Sequence, residues 1–279
     1  MHPFAVTVAV FVGLIVLLHP MYASSVRAAS PHLDMLDSED WVRSSGPSLG
    51  YIVIVNLPEK ILRLYETDGT SVINDFLQPI GEYPVGIGTK TFPTPEFNSV
   101  IGARSRRPAW NVSESSWAGE LAGSVVAFDS EINPFRVQVD HNEFDGFFVA
   151  LEQKGIGFHT TNNSFSVGRI SSHGCMRMSI EDIVEIYRLP IGTTVETRYD
   201  LFRIEKTDET IEITMLPDVY DRYSKTLQQR QLARHLKRHG LSDPGFSAQE
   251  RRIIGDGGTI RVDVARFDQN PMKVRFPKP

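Results

Sequence analysis

Cysteine is nearly absent from this chain. Cys175 is the only one in 279 residues, which excludes an internal disulfide framework and a cysteine-rich zinc module. A lone thiol is either a small buried apolar residue or a reactive group. Basic charge is also short: 29 Lys and Arg stand against 34 Asp and Glu, for a formal net charge of −5. Such a balance gives no electrostatic case for nucleic acid as a partner. No repeat of solenoid length occurs. Nor is there a long apolar span, since the uncharged run Phe4 to Leu18 has fifteen residues and a membrane helix needs about 20.

That short run has the length of a signal-peptide core. Pro20 breaks it, and Val26-Arg27-Ala28 offers a small-residue cleavage site, with Ala23 as an alternative. Residues 1–29 are therefore expected to be a signal peptide. The mature protein is then exported to the periplasm or cell envelope, with no stable membrane span after signal cleavage. An uncleaved anchor would place the domain on the same side. A free thiol is a liability in an oxidising compartment, which favours a function for Cys175.

What is present is a globular composition, 41% hydrophobic and 23% charged. Residues 30–49 read as a linker. The run Tyr51 to Asn56 and the run Ile61 to Tyr65, separated by Pro58-Glu59-Lys60 and ended by Asp68-Gly69, read as a hairpin. Further strands are expected at Tyr83–Gly88, Val125–Phe128, Arg136–Val139, Phe147–Leu151, Gly155–His159 and Thr193–Thr197. A helix is expected over Ser179–Tyr187, with Ser179 as N-cap, Asp182 as its acidic capping partner, and Ile180, Ile183, Val184 and Tyr187 on one face. Short strands with Gly and Pro between them argue a mostly β sandwich or barrel. The Cys175 run is expected to be a loop that enters the Ser179 helix.

After residue 200 the pattern changes. Strands are expected at Phe202–Ile204, Thr210–Thr214 and Ile260–Val264, and a helix over Asp218–His239 ended by Gly240. Ser247-Ala248-Gln249-Glu250 reads as a capping box. Residues 200–279 therefore read as a small α+β C-terminal extension. The cations of the long helix, Arg222 to Arg238, read as a solvated face, with a docking face for an acidic polymer or a membrane as the alternative.

The chemistry centres on Ser171-Ser172-His173-Gly174-Cys175-Met176-Arg177-Met178, with His159 sixteen residues upstream of the thiol. Acyl transfer by cysteine needs a thiolate, a base and donors for an oxyanion. His159 is the candidate base. His173 is placed to orient the thiolate or to serve the oxyanion. The amides of Gly174 and Cys175, read as lying just ahead of a helix, would form the oxyanion hole, and the helix dipole would lower the thiol pKa. A thiolate–imidazolium pair would follow. Arg177 is placed to hold a carboxylate, or else to pair with Glu181 four residues on. His159, His173 and Cys175 also make three potential zinc ligands, but their spacing does not support a metal site.

The run Ser172-His173-Gly174-Cys175-Met176-Arg177-Met178 resembles the signature of the L,D-transpeptidase catalytic domain, of YkuD type. Other segments follow in the order of that family. They are Val55-Asn56-Leu57-Pro58 with Leu62-Arg63-Leu64-Tyr65, Tyr83 to Gly88 followed by Thr94-Pro95, Asn133-Pro134, Gly157 to Thr161, Ser166-Val167-Gly168, and Gly192 to Val195. The resemblance covers about residues 50–198. It implies a YkuD-like β-sandwich with a short helix after the catalytic loop, over residues 50–199, followed by the extension 200–279. It implies that Cys175 is the nucleophile and His159 the base, and that His173 shares the catalytic role. Gly174, Ser172, Arg177 and Thr160 make up the oxyanion and substrate-binding set.

The partners implied are peptidoglycan stem peptides, and in some relatives an amine-bearing acceptor protein. No metal or organic cofactor is implied. The reaction expected is release of a terminal D-alanine and transfer to an amine, giving a 3→3 cross-link. An L,D-carboxypeptidase or amidase passing the acyl group to water is the alternative, and a non-catalytic wall-binding protein is the alternative of another class. The sequence departs from the family pattern at Thr160-Thr161 and after Thr94-Pro95 and Asn133-Pro134. The stretch Arg104 to Trp117 is a candidate cleft lid.

Overall fold

The computed structural model describes residues 50–67, 78–153, 155–207 and 209–268. Its strands in chain order begin with β1 (Gly50–Asn56), β2 (Ile61–Thr67), β3 (Gly81–Pro84), β4 (Ile87–Gly88), β5 (Phe97–Arg106), β6 (Trp110–Asn111), β7 (Val125–Val126) and β8 (Val137–Asp140). They continue with β9 (Glu143–Asp145), β10 (Phe147–Leu151), β11 (Gly157–Thr160), β12 (Ile170–Ser172), β13 (Met176–Met178) and β14 (Thr194–Arg198). The last three are β15 (Phe202–Lys206), β16 (Thr210–Met215) and β17 (Thr259–Asp263). The helices are α1 (Ile180–Tyr187), α2 (Lys225–Arg238), α3 (Ala248–Gly255) and α4 (Val264–Asp268). The fold is mostly β, with a small α+β extension. The expected signal peptide and linker, the Asp68-Gly69 turn and residues 269–279 lie outside the described residues.

β1 is a β-branched run buried along most of its length, because it sits between β2 and β14 inside an eight-stranded sheet. Its pairing with β2 is antiparallel and with β14 parallel, and a strand covered on both faces reads as continuous apolar sequence. The order across the sheet is β13-β11-β10-β5-β14-β1-β2-β3. β5 joins the two halves. Its residues 97–100 pair with β14, and its residues 101–106 pair with β10. The register with β10 jumps from Ala103 to Ile101, leaving Gly102 as the extra residue. A one-residue bulge bends a strand and raises its twist, which is how β5 turns from β14 to β10 within one sheet.

Val53, Val55, Leu57, Leu62 and Val195 form the buried core of one half, and Phe147, Val149, Phe158, Met176, Met178, Ile183 and Ile186 that of the other. α1 packs on β10 and β11. Ser179 caps α1 by accepting the amide hydrogen of Asp182 at 3.1 Å, as expected from sequence. Each fully buried Ile of this helix contributes roughly 1.5–3 kcal/mol.

Three local expectations are corrected. Tyr83–Gly88 is not one strand. Val85 donates to Lys60 and Gly86 bonds to Arg177, so the chain leaves the β2 edge and crosses to the cysteine loop as β4, which pairs with β12. The long helix does not begin at Asp218. That carboxylate gathers the amides of Arg222 and Tyr223 and the hydroxyl of Tyr199, holding 218–223 as a turn with Asp221 at φ +52°. Ser224 then caps α2. Finally, the cysteine loop does not run into a helix, because β13 lies between Cys175 and α1.

In the extension, β15, β16 and β17 form their own antiparallel sheet. The expected capping box at Ser247 and Glu250 is present with both of its bonds. The extension is joined to the large sheet where Asn56 exchanges two side-chain hydrogen bonds with the backbone of Asp200, at 3.1 and 3.0 Å.

Candidate active site

β11 and β13 run parallel, with His159 paired to Arg177. Side chains on a strand alternate between faces. Cys175, two residues before Arg177, therefore shares a face with Arg177 and with His159. The register thus brings a base, a thiol and a guanidinium from two separate segments to one place.

His159 is buried, with its ring edge-on to Phe135 at 4.9 Å and parallel to Phe148 at 6.2 Å. Its Nδ1 lies 2.6 Å from the carbonyl oxygen of Thr160. A carbonyl only accepts, so Nδ1 carries the proton and Nε2 keeps its lone pair. Burial, with a smaller push from the Arg177 charge, moves the imidazole down to about 4, against the Thr160 bond that holds it up. His159 is thus an imidazole favoured in its neutral form, with its tautomer set by the Thr160 carbonyl.

Cys175 is half-buried. Its Sγ–H points to the carbonyl of Gly155 at 3.6 Å. Burial raises the thiol pKa, while the Gly157 amide and the Arg177 charge oppose that rise. Burial thus favours the neutral form of both side chains. The expected help from a helix dipole is corrected, since no helix starts at the loop.

The loop is built by side chains folded onto backbone. Ser172 is buried; its hydroxyl donates to the Cys175 carbonyl at 2.5 Å and accepts the Gly174 amide at 3.1 Å. Ser172 therefore shapes the loop rather than facing substrate, and the Gly174 amide is not an open oxyanion donor. The Cys175 amide makes no hydrogen bond among the described residues. Gly174 has φ +119°, a conformation that L side chains rarely adopt. Its carbonyl accepts from Thr94 Oγ1 at 2.8 Å.

Thr160 is also corrected. Its hydroxyl donates to Phe135 at 2.6 Å and accepts from the Phe147 amide at 3.0 Å, both backbone partners, and the residue is fully buried. It serves the site through its carbonyl, which holds His159. Arg177 forms no ion pair with Glu181. Its Nε is buried without a partner, and its charge acts on His159, His173 and Cys175 alike. His173 is exposed, and its ring stacks on Trp117 at 4.1 Å and meets Phe92 at 5.0 Å. Burial against these rings and the Arg177 charge lower its pKa.

Within the stretch expected to form a lid, only Trp117, in the 3-10 turn Ser116–Leu121, touches the cysteine loop by a ring contact. Arg104 instead donates to the carbonyls of Tyr187 and Leu189 at the end of α1, and Arg106 and Arg107 pair with Asp145 and Asp129. Phe92, Thr94 and Gly86 escaped the sequence reading as parts of the site. The signal for Gly86 lay in its close approach, since a Cβ there would sit 2.3 Å from the Ser166 carbonyl oxygen. Among the described residues no group of His, Cys, Asp and Glu is arranged to hold a metal.

The chain is similar to several known proteins. YkuD of Bacillus licheniformis, named as an L,D-transpeptidase, is 26% identical over 149 residues, which cover 53% of this chain and 66% of that protein. YbiS of Escherichia coli K12, named likewise, is 26% identical over 173 residues, 60% of this chain and 47% of that one. The chain thus spans only part of the length of these relatives. Among solved structures, L,D-transpeptidase 3 of Mycobacterium tuberculosis aligns with a TM-score of 0.38 at 16% identity, over 54% of this chain and 61% of that one. The family profile of the YkuD L,D-transpeptidase catalytic domain matches residues 50–197, more than half of the sequence. The chain therefore belongs to the L,D-transpeptidase catalytic-domain family.

Proposed function

We propose that this protein is a cysteine acyltransferase acting on peptidoglycan tetrapeptide stems, exported to the periplasm or cell envelope. The observation that carries the reading is the 2.6 Å bond from His159 Nδ1 to the Thr160 carbonyl. It leaves Nε2 as a proton acceptor on the face that holds the chain's only thiol.

The reaction begins when Sγ turns from the Gly155 carbonyl and attacks the carbonyl of the third stem residue. His159 Nε2 takes the thiol proton as the S–C bond forms. The Cys175 amide donates to the developing oxyanion. The unpaired guanidinium of Arg177 receives the terminal carboxylate of the stem. The C–N bond to D-alanine then breaks, and the leaving amine takes the proton from His159. A thioester remains on Cys175. An acceptor amine gives its proton to His159 and attacks the thioester, expelling the thiol and forming the new amide. His173, held between Trp117 and Phe92, lines the approach to this centre.

The test is mass spectrometry of purified protein incubated with disaccharide-tetrapeptide, beside its Cys175→Ala variant. A Cys175-dependent dimer lacking one D-alanine is the expected product. Loss of D-alanine without a dimer would make water the acceptor. No Cys175-dependent product would refute acyl transfer on this substrate.

A further inference from the structure

The C-terminal extension reaches the cysteine loop through one hydroxyl. Tyr220 Oη donates to the carbonyl of Gly88 at 3.0 Å and accepts the amide of Thr94 at 3.2 Å. Thr94 Oγ1 accepts the Gly88 amide at 2.9 Å and donates to the Gly174 carbonyl at 2.8 Å. The backbone of the residue preceding Cys175 is thus tied through Thr94 to Tyr220. The same 88–96 segment carries Phe92, which packs on His173.

The turn that presents Tyr220 is over-determined. Asp218 accepts from Tyr199 Oη at 2.5 Å and from the amides of Arg222 and Tyr223 at 3.0 and 2.7 Å. Tyr199 Oη also accepts the Tyr220 amide at 2.8 Å. Arg222 lies over the rings of Tyr199 and Tyr220 and pairs with Glu96 at 2.6 Å. Lys90 pairs with Asp221. Three side chains of the turn therefore grip the segment between β4 and β5, at Gly88 and Thr94, at Lys90 and at Glu96. None of the three lies within residues 50–197, which the family profile matches.

We infer that residues 218–223 are a clip, and that Tyr220 is a positioning residue that sets the cysteine loop through Thr94. The inference rests on the acyl-transfer reading of Cys175. A peptide held by a short chain of directed hydrogen bonds has little freedom, and small displacements of a reacting group lower turnover steeply. The clip makes the extension part of the catalytic apparatus rather than a passenger.

The test compares wild type, Tyr220→Phe, Thr94→Val, the double variant, and Arg261→Gln in β17 of the same extension. Tyr220→Phe keeps the ring under Arg222 and removes only the hydroxyl. Three readouts are taken: kcat and KM for D-alanine release, the pH profile of Cys175 alkylation by iodoacetamide, and the urea midpoint. Tyr220→Phe is expected to lower kcat about tenfold with little change in KM. Its alkylation profile moves to lower pH, because a loosened loop admits water to a thiol that burial now holds high. The double variant is expected to be no worse than Thr94→Val alone, since both act through the bond to Gly174. Arg261→Gln keeps the wild-type kcat and alkylation profile. Wild-type kcat and alkylation in Tyr220→Phe would overturn the proposal. So would an equal effect from Arg261→Gln, which would reduce the extension to general support. If wild type releases no D-alanine, the acyl-transfer reading fails, and the alkylation profiles still decide for or against the clip.

Discussion

The imidazole of His173 lies flat against the indole of Trp117, ring centroids 4.1 Å apart and planes 13° from parallel. One ring belongs to the cysteine loop and the other to a 3-10 turn more than fifty residues earlier in the chain, with Gly119 at φ +55° inside that turn. The contact fixes the plane of His173 and covers one side of the loop.

Such a stack contributes roughly 0.5–1.5 kcal/mol beyond the area it buries. Trp117→Ala should speed alkylation of Cys175 by small reagents and slow D-alanine release, as the loop opens and His173 loses its plane. Trp117→Phe should retain most of both properties. Alkylation at the wild-type rate in Trp117→Ala would show that the indole does not guard the thiol.

Burial, which favours the neutral forms of Cys175 and His159, sets the expected pH behaviour. Alkylation of Cys175 in the free enzyme should rise only above the ordinary thiol range, with no plateau extending into acid. The acid limb of kcat/KM should lie near pH 4, where His159 takes its proton. A plateau of alkylation at pH 5–6 would restore the ion pair.

His159 also makes stability depend on pH. Its folded pKa of about 4 lies below the unfolded value of about 6.5. Between these values the unfolded chain binds more protons, so the contribution is full above about pH 6.5 and is lost as pH falls through the folded value. The loss is on the order of 3 kcal/mol. Urea midpoints of wild type and His159→Gln, measured at pH 7 and pH 4, should converge on the acid side. Parallel pH dependence in the two proteins would exclude this source.

Thr160→Val removes a hydroxyl that bonds two backbone groups and keeps the side chain's shape. The Phe135 carbonyl and Phe147 amide would lose a partner in a buried site, at a cost of roughly 1–3 kcal/mol. The urea midpoint should fall while KM stays near wild type. A raised KM with an unchanged midpoint would return Thr160 to the substrate-binding set.

Arg177 lowers the pKa of both His159 and Cys175, in each case behind the larger effect of burial. Arg177→Gln should therefore raise both, moving the alkylation profile and the acid limb of kcat/KM upward together. Arg177→Lys should keep much of the charge effect yet bind the stem carboxylate poorly, because the planar fork is lost. Movement of only one of the two profiles would contradict a shared electrostatic role.

The sequence was legible where local chemistry decides the outcome. β1 and β2 with their Pro58–Lys60 turn, β10, the Ser179 cap and the Ser247–Glu250 box follow from β-branched runs, turn residues and capping geometry. Cys175 and His159 stood out as residue types. What sequence could not show is where hydroxyls and amides go once the chain has packed. Ser172 and Thr160 looked like contacts for substrate, but their oxygens bond to backbone only a few ångströms away. Met176 to Met178 read as the end of a loop entering a helix, and their strand identity comes from long-range pairing with β11 and with Gly86. Asp218 belonged in sequence to a helical stretch, yet its carboxylate competes for the amides a helix would use. Trp117 and Tyr220 carry no local signal of their partners, since each acts across a long separation in the chain.

The burial that raises the Cys175 thiol pKa has a consequence for durability. Peroxide and disulfides react with thiolate, not with thiol, and reach buried sulfur slowly. A sulfur kept in its acid form by burial, and turned toward the Gly155 carbonyl, therefore corrodes slowly while the enzyme waits. On the proposed mechanism its nucleophilicity is released when a bound acyl group lets His159 take the proton. The same burial that weakens the idle nucleophile also slows the oxidation of a single unpaired sulfur.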